Sequence, residues 1–352
     1  MAIEKIDIEA FLSLSKQFPV FDVRSPSEYT HAHIPNAISL PLFTDEERKI
    51  VGTTYKQKSR QQAIKVGLDF FGVKMKAMVE EVENHLNKRN KTLAGKGGQE
   101  ALIVHCWRGG MRSAGVAWLL DLYGFKVYTL IGGYKTFRKW SLAQFEKNYQ
   151  LNVLGGYTGS GKTELLMGLK KRKIPVIDLE GLAGHRGSAF GNIGMPKQPS
   201  QEQFENLLAL DLFNIATTYP DTGIWIEDES QRIGDVNIPI NFWHQMRNTS
   251  LYFLDIPFED RLLHILNVYG NLDKMKMINA IIRIKKRLGG LDAKDAVNAF
   301  MEDRTADCFR ILLRYYDKWY IKGMETRENL SEKLIRIPCE TVNIENITKL
   351  MT

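Results

Sequence analysis

Two stretches of this chain carry residues whose types and spacing suit anion chemistry. Cys106 opens Cys106-Trp107-Arg108-Gly109-Gly110-Met111-Arg112-Ser113, which follows the apolar run Ala101-Leu102-Ile103-Val104 and His105. A reactive thiolate needs positive surroundings and backbone N–H groups turned towards it. A strand ending at His105, a glycine-containing loop and a helix beginning near Ser113 supply both, because a helix N-terminus leaves its first donors free. Arg108 and Arg112 add full charges, and Gly109 and Gly110 let the backbone curl inwards. The second stretch is Gly156-Tyr157-Thr158-Gly159-Ser160-Gly161-Lys162-Thr163, which comes after Leu151-Asn152-Val153-Leu154. It satisfies G-x-x-x-x-G-K-[ST] at every fixed position, with a strand before and a helical run after. Its N–H groups cradle phosphate, Lys162 neutralises it, and the Thr163 hydroxyl suits a magnesium ion.

An acidic strand end usually completes a phosphate site of this kind. Ile224-Trp225-Ile226 runs into Glu227-Asp228-Glu229, which makes those three the first candidates; Asp178, after Pro175-Val176-Ile177, is the second. His185 and Arg186 follow Asp178 closely and would bring a guanidinium to the phosphate edge. Cys308 and Cys339 lack a glycine-rich loop of this kind and read as structural. His105 reads as a strand-end residue rather than a base.

The elements that must position these residues alternate. Strand candidates lie at 19–23, 37–40, 102–104 and 126–130, with a helix over 112–123. A second series lies at 151–154, 175–178, 224–227 and 251–254, with a helix over 200–219. From Arg261 onward the chain reads as mainly helical. Strands alternating with helices predict parallel α/β sheets. The division expected is a first domain over 1–140, with a polar, helix-prone insertion at about 44–96 ending in the turn 94–98. A linker over 141–150 comes next, and then a phosphate-loop domain over 151–352 with a helical C-terminal part.

The chain has 352 residues, 44% hydrophobic and 25% charged, the composition of a soluble globular protein. No apolar run approaches the roughly 20 residues of a membrane helix, and the acidic, mixed N-terminus is unlike a signal peptide. Three cysteines without metal spacing suggest reduced thiols in the cytoplasm. A net charge of +7 points to an acidic partner such as nucleic acid. Lys135, Arg138, Lys139 and Lys147 near the linker, and the Lys/Arg-rich insertion, would contribute to that surface.

Phe21-Asp22-Val23-Arg24-Ser25-Pro26-Ser27-Glu28-Tyr29 and His33-Ile34-Pro35-Asn36-Ala37 resemble the "DVR" and "HIP" elements of the rhodanese domain. Ala32 and Asn36 stand where that domain usually has glycines. The loop from Cys106 to Arg112 is one residue longer than the common form, which widens the anion cradle and fits a phosphate-bearing donor. Ile131-Gly132-Gly133-Tyr134-Lys135, the phosphate loop, Asp178-Leu179-Glu180-Gly181-Leu182-Ala183, His185-Arg186-Gly187-Ser188-Ala189-Phe190-Gly191 and Glu227-Asp228-Glu229-Ser230-Gln231-Arg232-Ile233-Gly234 are added to it. Together they make the chain similar to the tRNA 2-selenouridine synthase family over about 3–254.

That resemblance implies replacement of the sulfur of 2-thiouridine at the tRNA wobble position by selenium from selenophosphate, after geranylation of the sulfur with geranyl diphosphate. It implies tRNA and a selenophosphate supplier as partners. Cys106 to Ser113 would receive selenophosphate, and Gly156 to Thr163 the diphosphate. Cys106 would either carry selenium as a selenylsulfide or orient the donor. Two other classes fit the loops alone: a P-loop kinase or nucleotide hydrolase fused to a sulfurtransferase domain, and a non-catalytic anion sensor. The Cys-x5-Arg spacing also matches phosphatases.

Overall fold

The computed structural model describes residues 3–92, 100–269 and 274–351; the 94–98 turn expected from the sequence lies outside them. The chain forms two compact α/β units, Met1–Ala143 and Gln144–Thr352.

In the first unit, β1 (Glu4–Ile6), α1 (Ile8–Leu14), β2 (Val20–Asp22), α2 (Pro26–His31) and β3 (Ile38–Ser39) come first. Three helices come next, α3 (Asp45–Gln57), α4 (Arg60–Gly72) and α5 (Met75–Thr92), and then β4 (Ala101–His105), α6 (Met111–Tyr123), β5 (Lys126–Leu130) and α7 (Gly133–Gln144). The sheet order is β1-β5-β4-β2-β3, parallel throughout. β4 is central and buried along its whole length, so it reads as a continuous apolar run rather than an alternation. The helices of the insertion are polar outside but not all round. Phe71, Met78, Val79, Val82 and Leu86 pack into the core shared with Phe21, Leu102 and Val104. The Thr44 hydroxyl and Glu47 carboxylate close a reciprocal capping box that starts α3.

The second unit begins with β6 (Leu151–Gly156), α8 (Lys162–Lys171), β7 (Val176–Ile177), α9 (Leu179–Ala183), α10 (Gln201–Thr218) and β8 (Ile224–Glu227). A hairpin of β9 (Arg232–Ile233) and β10 (Val236–Asn237) leads to α11 (Ile240–Asn248) and β11 (Leu251–Asp255). Helices α12 (Phe258–Tyr269), α13 (Lys274–Leu288), α14 (Gly290–Met301) and α15 (Thr305–Glu325) pack around their own apolar core, which includes Ile265, Ile281, Phe300, Phe309, Leu312 and Leu313. The C-terminal part is not helical to its end. After α16 (Leu330–Lys333), β12 (Leu334–Pro338) returns to pair in parallel with β11, and α17 (Ile347–Leu350) closes the chain. The sheet order is β12-β11-β6-β8-β7. The phosphate loop therefore leaves the central strand, and the acids of β8 lie next to it.

Candidate active site

The cysteine loop leaves the C-terminal end of β4 and enters α6. Cys106 is buried, its Sγ 3.3 Å from Ser113 Oγ, and the Gly110 N–H donates to it at 3.4 Å. Burial pushes the thiol up. The Ser113 hydroxyl and the backbone N–H groups of Ser113, Arg108 and Gly110 outweigh that and hold it below the usual thiol range. The donors are therefore mainly the helix start and curled backbone, as expected of an anion cradle.

The arginines divide. Arg108 is exposed. Arg112 is not a bare charge beside the thiolate, as its place in the loop suggests, because its guanidinium is engaged by Glu28 at 2.5 and 3.2 Å. Burial works against both charges, and the pairing wins: Glu28 falls to about 2 and Arg112 rises. Glu28 also caps α2, so α2 and α6 are tied together at the loop.

Glycine supplies the close approach that holds the loop. Gly109 has φ +63°, and a Cβ there would stand 2.7 Å from the Leu130 carbonyl oxygen; one on Gly133 would stand 2.2 Å from the Cys106 carbonyl oxygen. The N–H groups of Tyr134 and Lys135 donate to the carbonyls of Cys106 and Trp107. Beneath lies the buried Asp22–Arg24 pair. Arg24 also donates to the Ala32 carbonyl at 2.7 Å and stacks on Tyr134, 4.0 Å from the ring centroid. The "DVR" residues thus brace the loop from below. His105 is fully buried, and burial lowers its pKa below the usual imidazole range. Trp107 and Met111 are exposed at the loop's rim.

The phosphate loop runs from β6 into α8, which starts at Lys162. Gly159 (φ +83°) and Gly161 (φ +73°) take the left-handed conformations that turn the N–H groups inwards. Lys162 Nζ donates to the Gly156 carbonyl at 2.8 Å, and Thr163 Oγ1 donates to Glu180 Oε2 at 3.2 Å. Ser160 is buried, while Tyr157 turns away and packs edge-on against Phe253 and Tyr320. The Thr158 carbonyl accepts from the buried Arg261, whose guanidinium is held bidentately by Asp317.

The loop opens into a cleft of about 510 Å³. Polar residues Glu180, Arg186, Ser188, Asp228 and Glu229 line it together with Ile265, Val268, Tyr316, Trp319 and Tyr320. A smaller apolar crevice shares Thr158, Ser188, Ile265 and Tyr316 with the cleft and adds Phe190, Phe309, Leu312 and Leu313.

Not every acid expected at the phosphate reaches it. Asp178 caps α9 through the Gly181 N–H at 2.7 Å, and neither it nor His185 lines the cleft. Burial lowers the His185 pKa below the usual imidazole range. Glu227 is buried below, accepting from the Leu179 N–H at 3.0 Å. Burial first, then Asp178 and Glu180, push it well above the usual carboxylate range. Burial and the neighbouring Glu180 likewise raise Glu229, and burial raises Glu180. Asp228 is engaged twice, by the Arg327 guanidinium and by the Tyr320 hydroxyl at 2.7 Å. The same Tyr320 oxygen accepts from the Gly156 N–H at 3.1 Å. Among the described residues no group of three His, Cys, Asp or Glu is arranged to hold a metal ion.

Sequence reasoning missed Glu28, Arg261, Tyr320 and Arg327. Their partners lie far off along the chain, so no local spacing announces them. Glu180 lies two residues after Asp178 and needed only the register of α9, which turns it back to Thr163.

The sequence profile of the tRNA 2-selenouridine synthase AAA domain matches residues 149–335, and that of the rhodanese-like domain matches 8–139. The first match carries the likeness through most of the helical C-terminal part, beyond the 254 expected. The tRNA 2-selenouridine synthase of Nitrosomonas europaea is 38% identical over 255 residues, 71% of this chain and 63% of that protein. The one from Bdellovibrio bacteriovorus is 30% identical across 93% of this chain and 94% of its own length. The one from Hydrogenovibrio crunogenus is 34% identical, with 89% and 91% covered. The chain thus spans less than two thirds of the Nitrosomonas relative and more than nine tenths of the other two. With two α/β units, a thiol cradle in one and a phosphate loop in the other, the chain belongs to the tRNA 2-selenouridine synthase family.

Proposed function

We propose that this protein converts 2-thiouridine at the tRNA wobble position to 2-selenouridine in two steps, geranylation at the phosphate loop and selenation at the cysteine loop. The relatives' names support the overall conversion. The observation that carries the first step is the cleft of about 510 Å³, in which the phosphate cradle shares its space with the apolar side chains of Ile265 and Val268. The loop reads phosphate oxygens only, and the apolar part of the cleft lining offers a surface to a short hydrocarbon.

In the first step the thiouridine sulfur attacks C1 of geranyl diphosphate. The C–O bond breaks and diphosphate leaves with the electron pair, met by Lys162 and the loop N–H groups. The proton on N3 of the base has to go elsewhere, and Glu229 is the cleft acid suited to accept it. Once on Glu229, beside Glu180, that proton spares the diphosphate the repulsion of two full charges. A magnesium ion arriving with the diphosphate would find the Thr163 hydroxyl and the Glu180 carboxylate, and would add charge stabilisation there.

In the second step selenide derived from selenophosphate adds at C2 of the base and expels the geranyl thiolate. Cleavage of the Se–P bond by water leaves phosphate. The cradle of Gly110, Arg108 and Ser113 around Cys106 suits an anionic donor, which Cys106 would orient for release of selenide beside the base.

A nucleotide-hydrolysing reading is less well supported, because Asp228, beside the loop at the end of β8, is already paired with Arg327 and Tyr320. The test is to incubate the protein with thiolated tRNA, geranyl diphosphate and selenophosphate and measure wobble nucleosides by mass spectrometry. The geranylated and then the selenated nucleoside should appear without ATP. Selenation that needs ATP and ignores geranyl diphosphate would overturn the reading.

A further inference from the structure

The C-terminal helices carry a surface that the two-step chemistry leaves unused. α13 holds Lys274, Lys276, Arg283, Lys285, Lys286 and Arg287 and no acidic residue. Its apolar positions, Met277, Ile278, Ala280, Ile281 and Leu288, pack into the helical core, which turns Lys285, Lys286 and Arg287 to solvent. The Arg287 guanidinium lies 6.0 Å from the centroid of the Trp319 ring, and Lys322 Nζ lies 5.2 Å from it. Trp319 is 43% exposed, lines the cleft and has Tyr315 edge-on beside it. Trp243 also lines the cleft, with the Arg247 guanidinium 5.6 Å from its ring centroid.

An exposed indole ringed by cations is poorly suited to an apolar protein partner. It suits a polyanion that also offers flat rings. Unpaired nucleic acid has both, since bases stack on aromatic faces while cations follow the backbone. A base-paired duplex hides its ring faces and would leave Trp319 uncovered.

We propose that Trp319 and the basic end of α13 form the landing surface for an unpaired RNA loop. One base stacks on Trp319 while the neighbouring phosphates lie along Lys285, Lys286 and Arg287. The adjacent base is thereby brought to the cleft beside the phosphate loop. This rests on the tRNA reading above and names the surface that receives the anticodon loop.

The test measures binding of a labelled anticodon stem-loop carrying 2-thiouridine to the full chain across a salt series. Trp319→Ala should weaken binding about 10-fold, with Trp319→Phe restoring most of it. The double variant Lys285→Glu, Lys286→Glu should weaken binding and flatten the slope of log Kd against log salt. Wild-type affinity in both Trp319→Ala and the double variant overturns the proposal. So does a Trp319→Ala protein that binds the stem-loop normally but loses affinity for geranyl diphosphate, since the ring would then belong to the hydrocarbon site. Polyglutamate competing as well as the stem-loop also overturns it. If wild type binds the stem-loop through these residues yet makes neither modified nucleoside, the surface stands and the two-step reaction falls.

Discussion

At the scale of residues, one chain holds three buried cysteines whose chemistry differs entirely by surroundings. Burial pushes Cys308 up to about 12 and raises Cys339, whereas the N–H cradle and Ser113 pull Cys106 below the ordinary range. A lowered thiol pKa means that the thiolate persists to lower pH than a free cysteine would. Alkylation by iodoacetamide, then peptide mass spectrometry across pH, should therefore show Cys106 reacting alone in the native protein. Ser113→Ala should shift its titration to higher pH; an unchanged midpoint would remove the hydroxyl from the account. Glu28 makes a second prediction. Its carboxylate sits at about 2 in the fold against an ordinary 4.5. The stabilisation it gives is therefore complete above about pH 4.5 and lost as pH falls through about 2. Glu28→Gln leaves Arg112 without its partner and should cost on the order of 2–3 kcal/mol at neutral pH. It should also flatten that acid dependence in a urea titration of the full chain. Cys106 and Lys162 were legible in the sequence because their cradles are built from adjacent residues. Glu28 was not, because the residue it neutralises arrives from another helix, 84 positions along.

At the scale of elements, the strands that read clearly were the central ones, β4 and β6, whose burial on both faces writes a continuous apolar run. β1 and β12 were invisible for the opposite reason. β1 has three residues and only one of them buried, and β12 is an edge strand with much of its length exposed. Missing β12 concealed what the C-terminal helices do. The segment returns to the sheet, and on the way α15 brings Tyr320 to the first glycine of the phosphate loop and to Asp228. Tyr320 is a positioning residue, acting through the Gly156 N–H and not on the reacting atoms. Removing its hydroxyl leaves that N–H without its acceptor, at a cost of about 1–2 kcal/mol. Tyr320→Phe should accordingly raise the KM for geranyl diphosphate about 10-fold while selenation of tRNA already carrying S-geranyl-2-thiouridine proceeds normally. Loss of both reactions together would mean that the hydroxyl only supports the fold.

At the scale of the whole molecule, two α/β units each offer an anion cradle at the C-terminal end of a central parallel strand, and the cradles differ in their immediate surroundings. In the first unit the anion meets a buried thiol; in the second it meets a cleft with an apolar side crevice. The reading that assigns one reaction to each unit makes reciprocal demands on two variants. Cys106→Ala should abolish selenation and leave geranylation of thiolated tRNA largely intact, because the diphosphate cradle is untouched. Lys162→Ala removes the charge that offsets the departing diphosphate, an effect worth about 10²–10³ in rate. Geranylation should collapse in that protein, and selenation of 2-thiouridine tRNA with it, since the activated intermediate never forms. Selenation of tRNA supplied already geranylated should survive, because that step needs the donor and the Cys106 loop alone. Measuring 2-selenouridine from the pre-geranylated substrate in folded Lys162→Ala protein decides the matter: rescue assigns the two reactions to separate loops, and failure to rescue means that the phosphate loop also serves the selenium step.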